Sequence, residues 1–223
     1  MIRVHVICEG QTEERFVNEL LYESFILAGV DLRATLIGRP GHKGGNIRFD
    51  RLYTDVKARL LADDTAYCTT FVDYYGLHRD FPGKEDAQRQ STVADKQACV
   101  VFALGNTIRA KLGDEAARRF IPYVQMHEFE ALLFSDPDGL AQGINRIELA
   151  DAFRQIRHAF GSPEEINDSV RTAPSKRIER LYCEYDKPWH GSLAALAVGL
   201  ESMKAQCPLF NQWLHRMKTL ASP

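Results

Sequence analysis

The sequence predicts an α/β fold: a mostly parallel sheet flanked by helices, followed by a helical C-terminal part. Three observations carry that reading. Short β-branched runs alternate with runs of helical period through residues 1–137, the intervals between successive strand-like runs are long enough to hold a crossover helix, and such runs cease beyond Asp136-Pro137. With 223 residues, 45% hydrophobic and 26% charged, the chain has the make-up of a globular protein with one main core. Residues 1–137 are therefore assigned to the α/β domain, and residues 138–223 to a helical part packed on the same core.

Residues 2–8 (IRVHVIC) form a β-branched run that ends at Glu9-Gly10. Apolar positions Phe16, Val17, Leu20, Leu21, Phe25 and Leu27 then recur at helical spacing up to Gly29, with Thr12 as N-cap and Glu13 and Glu14 suited to the positive end of the helix. Residues 32–37 read as a second strand, 38–46 (GRPGHKGGN) as a Gly-rich loop, 49–61 as an amphipathic helix and 68–74 (CTTFVDY) as a third strand. The polar stretch 76–92, with Phe81-Pro82-Gly83 inside it, reads as a long loop or flap. Residues 93–112 are helical by pattern, and 120–126 (FIPYVQM) form a fourth strand leading into His127-Glu128-Phe129-Glu130. Beyond it, Gly161-Ser162-Pro163, Ala173-Pro174-Ser175 and Lys187-Pro188-Trp189 divide the remainder into short helices.

Charge narrows the function classes. Lysine and arginine total 28 against 30 acids, a net of -2, so the chain is not one that coats nucleic acid by overall charge; a local basic groove is the remaining electrostatic route. No run approaches the roughly 18 uninterrupted apolar residues of a membrane span. The N-terminus enters a strand pattern at once instead of showing a signal-peptide layout, so a cytoplasmic location without a membrane partner is expected. Five scattered cysteines (Cys8, Cys68, Cys99, Cys183, Cys207) with no CxxC pair are expected to be reduced core thiols.

Ligands of open parallel sheets collect outside the carboxyl ends of the strands. Three predicted strands deliver acids there: Glu9 and Glu13 after the first, Asp73 at the end of the third, Glu128 and Glu130 after the fourth. Converging carboxylates raise one another's pKa unless a cation neutralises them, and hard Mg2+ or Mn2+ suits oxygen donors. Each acid has an ordinary alternative: Glu9 solvated at a strand end, Glu13 favouring a helix start, Asp73 capping a turn, Glu128 and Glu130 on an exposed helix face. His127 beside the carboxylates offers a transition-metal variant that ranks below an oxygen-ligated ion, because no His-Glu-x-x-His is present. Ser-His-Asp hydrolysis ranks lower still without a Gly-x-Ser-x-Gly elbow. In the Gly-rich loop, His42, Lys43, Gly44 and Gly45 are placed to cradle a phosphate or to make a tight turn; the loop lacks both P-loop and dinucleotide-binding spacings.

The segment VICEGQTE, residues 6–13, resembles the first motif of Toprim domains, where a strand ends in Glu-Gly and the Glu serves a metal-dependent phosphodiester site. The wider set EGQTEERFV, RPGHKGGN, FVDYYGL with FPG, IPYVQMHEFEALLFSDP, APSKRIERLY and YDKPWHG resembles an uncharacterised bacterial family of Toprim-like proteins catalogued as a domain of unknown function. That resemblance runs from Val6 to about Trp213. It implies a Rossmann-like sheet carrying a nicking, cleaving or strand-transfer site for DNA or RNA, with Glu9 as acid/base or metal ligand. The Glu9 and Glu13 pair is similar to the paired glutamates of Toprim nucleases of the overcoming-lysogenisation type, and Asp73 matches the first Asp of the Asp-x-Asp motif. Tyr75 stands where the second Asp belongs, so Glu128, Glu130 or Asp80 replaces that ligand, or the Toprim chemistry is lost.

A metal-bound Glu9 and Asp73 would activate water while Lys176, Arg177, Lys187 or His190 supplies positive charge near phosphate. The bland reading has Ser175 capping a helix and Trp189 anchoring a loop. The resemblance also implies a neighbouring-gene ATPase of the ABC or AAA type as partner, in mobile-element or phage-defence settings. Three readings stay open: a Mg2+- or Mn2+-dependent nuclease acting on nucleic acid, a non-catalytic or partner-dependent module, and a protein that binds a nucleotide or phosphate without cutting.

Overall fold

The computed structural model describes residues 1–38, 46–167 and 170–221. It divides into two compact units, Met1–Gln125 with His215–Pro223, and Met126–Leu214. The division falls at 125/126, ahead of the 137/138 boundary read from sequence.

The first unit is built on a four-stranded sheet in the order β2-β1-β3-β4, with β1 Ile2–Cys8, β2 Val30–Leu36, β3 Tyr67–Phe71 and β4 Phe120–Ile121. Every pairing is parallel, in register Val6↔Ala34 and Val6↔Thr69 across the centre. In β1, Val4, Val6, Ile7 and Cys8 are all fully buried while Arg3 and His5 are only partly so, so the strand alternates at its start and is buried on both faces over Val6, Ile7 and Cys8. The connection from β1 to β2 is helical from Gln11 to Ile26, with a π-helical stretch over Val17–Leu21; helices Phe49–Ala62 and Val93–Leu112 lie in the next two connections.

Five sequence expectations need correction. The first helix is capped by Gly10, not Thr12, and the Glu13 carboxylate reaches back to the Gly10 N–H at 2.8 Å, half of a capping box. The second strand starts at Val30 and the third stops at Phe71. The polar stretch before residue 93 is no plain flap: it contains a helix, Lys84–Gln88, and buries Phe81, Lys84 and Ala87. The fourth strand is only two residues long.

That last truncation has a clear cause. Regular pairing with β3 stops at Ile121 because the next N–H and carbonyl that face β3, those of Tyr123, go to a side chain; Pro122 faces away from β3, where its missing N–H breaks no rung. Side chains hold the following backbone instead. Thr70 Oγ1 donates to the Tyr123 carbonyl at 2.6 Å and accepts the Tyr123 N–H at 3.0 Å, and Gln97 donates to the Val124 carbonyl at 2.8 Å. Pairing resumes at one isolated parallel bridge, Asp73 with Gln125.

The second unit carries the expected short helices around a core that includes Phe129, Phe134, Phe153 and Phe210. The prolines read as breaks, Pro163, Pro174 and Pro188, are helix starts, as is Pro137: each sits at the first or second position of its helix, where a missing N–H costs nothing. Asp136 and Asp186 cap two of these helices through their side chains. Glu164, almost fully buried, accepts the Leu209 and Phe210 N–H groups at 3.0 and 2.8 Å, satisfying orphan donors of the helix Pro208–Lys218. Burial raises its carboxyl to about 7, while those two bonds pull the other way.

Of the cysteines, Cys8, Cys68 and Cys207 are buried free thiols as expected, whereas Cys183 is exposed. Among the described residues, no helix is long and apolar enough to cross a membrane. Replacing Glu164 with Ala leaves two N–H donors of a buried helix start without their charged acceptor. Urea denaturation should show a loss of about 1.5–3 kcal/mol per mole of protein.

Candidate functional site

In the first unit, β1 is where the sheet reverses its order, since β2 lies on one side of it and β3 on the other. The crevice outside the carboxyl ends of β1 and β3 is therefore the expected ligand position of an open parallel sheet. Glu9 follows β1 directly and stays in the ladder through its N–H to the Phe71 carbonyl, at 3.1 Å. Its Oε2 accepts the Asp73 backbone N–H at 2.9 Å. The acids predicted after the first and third strands thus meet, with the carboxylate of one held by the main chain of the other.

Gly76 completes the contact. A Cβ at this position would lie 2.4–2.7 Å from the Glu9 carboxylate, so the carboxylate packs where only glycine leaves room. The turn between Asp73 and Gly76 is closed by Gly76 N–H to the Asp73 carbonyl at 3.0 Å. Lys84 braces it further: its ammonium donates to the Tyr74 carbonyl and sits 3.2 Å above the centre of the Tyr74 ring. Burial alone pulls Lys84 down from 10.5 to about 7. Glu13, only 6% exposed, is turned to the Gly10 N–H and thus serves the helix start beside Glu9.

The second unit holds a separate acid pair. Glu130 is 1% exposed and its carboxyl is pushed up, first by burial and then by Glu128, against the opposing pull of Lys187. The Lys187 ammonium lies 3.3 Å from Glu130 Oε2 and 3.6 Å from Glu128 Oε1, so one cation is shared by two carboxylates. Glu128 Oε2 also accepts the Ser175 N–H at 2.9 Å, in the first turn of the helix Pro174–Leu181. Just before the pair, His127 adopts φ +25°, an uncommon backbone for a residue with a side chain, and its ring meets Asn167 at 3.3 Å. Two buried hydroxyls, Ser175 Oγ and Tyr185 Oη, have no hydrogen-bond partner among the described residues. Burial and the Glu130 and Glu128 charges drive the Tyr185 phenol well above its ordinary range.

The remaining cationic candidates are engaged locally. His190 Nδ1 accepts the Asp186 N–H at 2.8 Å, which leaves the neutral ring's proton on Nε2. Its ring stacks on Tyr185 and meets Tyr182 edge-on. Arg177 donates to the Thr172 carbonyl at 2.8 Å and lies over the Phe160 ring. Lys176 pairs with Glu179 at 2.6 Å and, with Arg171 and Arg180, borders an open cleft of about 530 Å³. His42, Lys43, Gly44 and Gly45 lie outside the described residues, so the phosphate-loop expectation has no structural counterpart here.

Sequence reasoning missed Gly76, Lys84 and Tyr185, and its reading of Ser175 as a helix cap is corrected: the cap position is Ala173, and Ser175 lies in the first turn. Gly76 was signalled by its place three residues after a strand-end acid, in a stretch otherwise rich in large aromatics. Nothing in the pattern marked Lys84, because a lysine in a polar run reads as solvated.

Among the described residues, no group of three or more His, Cys, Asp or Glu is arranged to hold a metal ion. The donors at the first site are carboxylate oxygens, the type that suits Mg2+ or Mn2+, and such ions take one or two protein carboxylates with water and phosphate oxygens completing the shell. Glu9 and Asp73 fit that requirement.

A parallel sheet with acids after its first and third strands defines a class, the open α/β proteins that work at the strand ends. Within it, the chain belongs to the family described as Domain of unknown function (DUF4276), whose model matches residues 8–218. No curated protein matches the chain. Among solved structures it is similar to the C-terminal region of the OLD protein of Xanthomonas campestris pv. campestris, at 16% identity and a TM-score of 0.46, covering 100% of this chain and 97% of that one.

Two outcomes follow from the geometry. Gly76→Ala forces the Glu9 carboxylate off the Asp73 amide, and urea denaturation should show a loss of about 1.5–3 kcal/mol. Lys84 has its pKa depressed on folding, so its stabilising contribution is complete above about 10.5 and is lost as pH falls through about 7. The difference in unfolding free energy, wild type minus Lys84→Met, should therefore rise with pH across that window in urea titrations. A flat difference would mean the buried ammonium keeps its ordinary pKa.

Proposed function

We propose that this protein is a metal-dependent enzyme acting on phosphodiester bonds of nucleic acid, a Toprim-like nuclease. The observation that supports it most is the meeting of Glu9 and Asp73 at the strand ends beside the sheet's reversal point, with Gly76 making room for the carboxylate. The Glu-Gly pair closing β1 and the acid after β3 are the same features in which the sequence resembles Toprim domains.

In this reading Glu9 and Asp73 hold Mg2+ or Mn2+, and Glu13 stiffens the helix start behind Glu9. Glu128 and Glu130 form a second carboxylate pair whose cation in this structure is Lys187. When bound, the ion would lower the pKa of a water and offset negative charge on phosphate. The Asp73–Gly76 turn keeps the Glu9 carboxylate aimed, which lowers the reorganisation needed at reaction. Lys187, half-exposed at a helix start, offers its ammonium to phosphate oxygens, while Lys176 and the arginines of its cleft attract the backbone.

One observation favours a second reading. Tyr75 occupies the position of the second Toprim aspartate, which leaves fewer carboxylates at the first site. A module that acts only with a partner ATPase accommodates that loss.

Relaxation of supercoiled plasmid with Mg2+ or Mn2+ tests the proposal. Wild type should nick, Glu9→Gln and Asp73→Asn should abolish nicking, and Lys187→Met should slow it on the order of 10²-fold. Equal rates in wild type and both acid variants would overturn the assignment. Nicking that appears only after co-purification with an ATPase would select the second reading.

A further inference from the structure

The first turn of the helix Lys187–Val198 carries more than Lys187. Trp189 is 60% exposed, which is unusual for a side chain of that size, and Leu193, one turn on, is exposed as well. Together with Tyr182, His190, Asn145 and Arg146 they line a cleft of about 420 Å³ in the second unit. That volume lies within the range of about 300–1,000 Å³ typical of small-molecule sites.

The walls are already ordered for stacking. The Arg146 guanidinium lies 4.7 Å from the centre of the Tyr182 ring. The His190 ring is fixed from both sides, by the Asp186 N–H on Nδ1 and by Tyr185 stacked at 5.8 Å with an interplanar angle of 23°. Asn145 holds φ +56°, a left-handed backbone that asparagine tolerates, and it brings an amide carrying both a donor and an acceptor to the rim.

Charge decides what class of ligand suits the cleft. Arg146 is paired with Glu148 at 2.5 Å, and Glu184 adds a second negative charge nearby. A phosphate would meet a guanidinium that is already neutralised, beside two carboxylates. An organic cation would meet Arg146 itself, standing on the aromatic face that such a cation needs. A neutral planar ring with hydrogen-bonding edges meets neither objection. It stacks on the exposed Trp189 indole and finds both kinds of partner in the Asn145 amide.

The geometry points to this cleft as a pocket for an unpaired nucleobase, with Trp189 as its stacking face, so that the protein grips single-stranded or locally opened nucleic acid beside Lys187. The inference rests on the reading that the protein acts on nucleic acid. It adds a strand-state preference that the metal site alone does not supply.

The test is binding of a fluorescein-labelled oligodeoxyadenylate, its ribonucleotide counterpart and a duplex of the same length, in EDTA so that metal chemistry plays no part. Trp189 and Trp213 are the chain's tryptophans, and Trp213 is buried, so quenching of the exposed indole reports directly on the cleft. Expected are tryptophan quenching by the single strands, weaker binding of the duplex, and affinity for the single strands roughly tenfold or more weaker in Trp189→Ala, with recovery in Trp189→Phe. The DNA and RNA arms show which sugar the site prefers. Unquenched tryptophan, or equal single-strand affinity in wild type and Trp189→Ala, overturns the pocket. If wild type still nicks plasmid while Trp189→Ala binds unchanged, the pocket alone is wrong; if wild type neither binds nor nicks, the underlying reading fails with it.

Discussion

The hydrogen bond from the Asp73 amide to the Glu9 carboxylate is the contact on which the first unit's chemistry depends. A carboxylate at the end of a strand buried on both faces loses much of its water, and it must be given donors or it takes up a proton. Here the donor comes from the main chain of the neighbouring strand's exit, so it cannot rotate away. Gly76 lets the carboxylate sit flat against the turn, and Lys84 clamps the next carbonyl from below. Two side chains, Glu9 and Lys84, with the Asp73 main chain and one glycine, thereby make a rigid seat from what would otherwise be a loose loop.

The second unit answers the same electrostatic problem by a different means. Glu128 and Glu130 are too close to share a buried environment without a positive charge, and Lys187 supplies it. A lysine is a movable counter-charge, whereas an amide is a fixed one. Glu9 is therefore held by a fixed donor, while Glu128 and Glu130 are balanced by a charge on a flexible stem.

Much of the fold was legible because buried parallel strands announce themselves. β1 is rich in β-branched residues and closes on the apolar run Val6, Ile7 and Cys8, and its neighbours recur at crossover spacing. The strand-end acids were visible for the same reason: once the strands are found, their exits are found. What hid was whatever depended on one residue's chemistry. The fourth strand kept the composition of a strand through Met126, yet the Thr70 hydroxyl takes the Tyr123 N–H and carbonyl that pairing needs. Lys84 looked solvated because sequence shows polarity and not the Tyr74 ring that covers it. The cleft around Trp189 joins residues from positions 145 to 193, and no local pattern links positions so far apart.

The two-residue β4 has a consequence for how this sheet behaves in a crowded solution. A long, bare outer strand is a template on which a stranger's backbone can zip up, the route to runaway self-association. On the β4 side the template is two rungs long and ends at an imino acid, with the chain beyond it committed to Thr70 and Gln97 instead of offering free rungs. A proline whose missing N–H faces outward thus blunts one margin of the sheet as a seed for fibre growth.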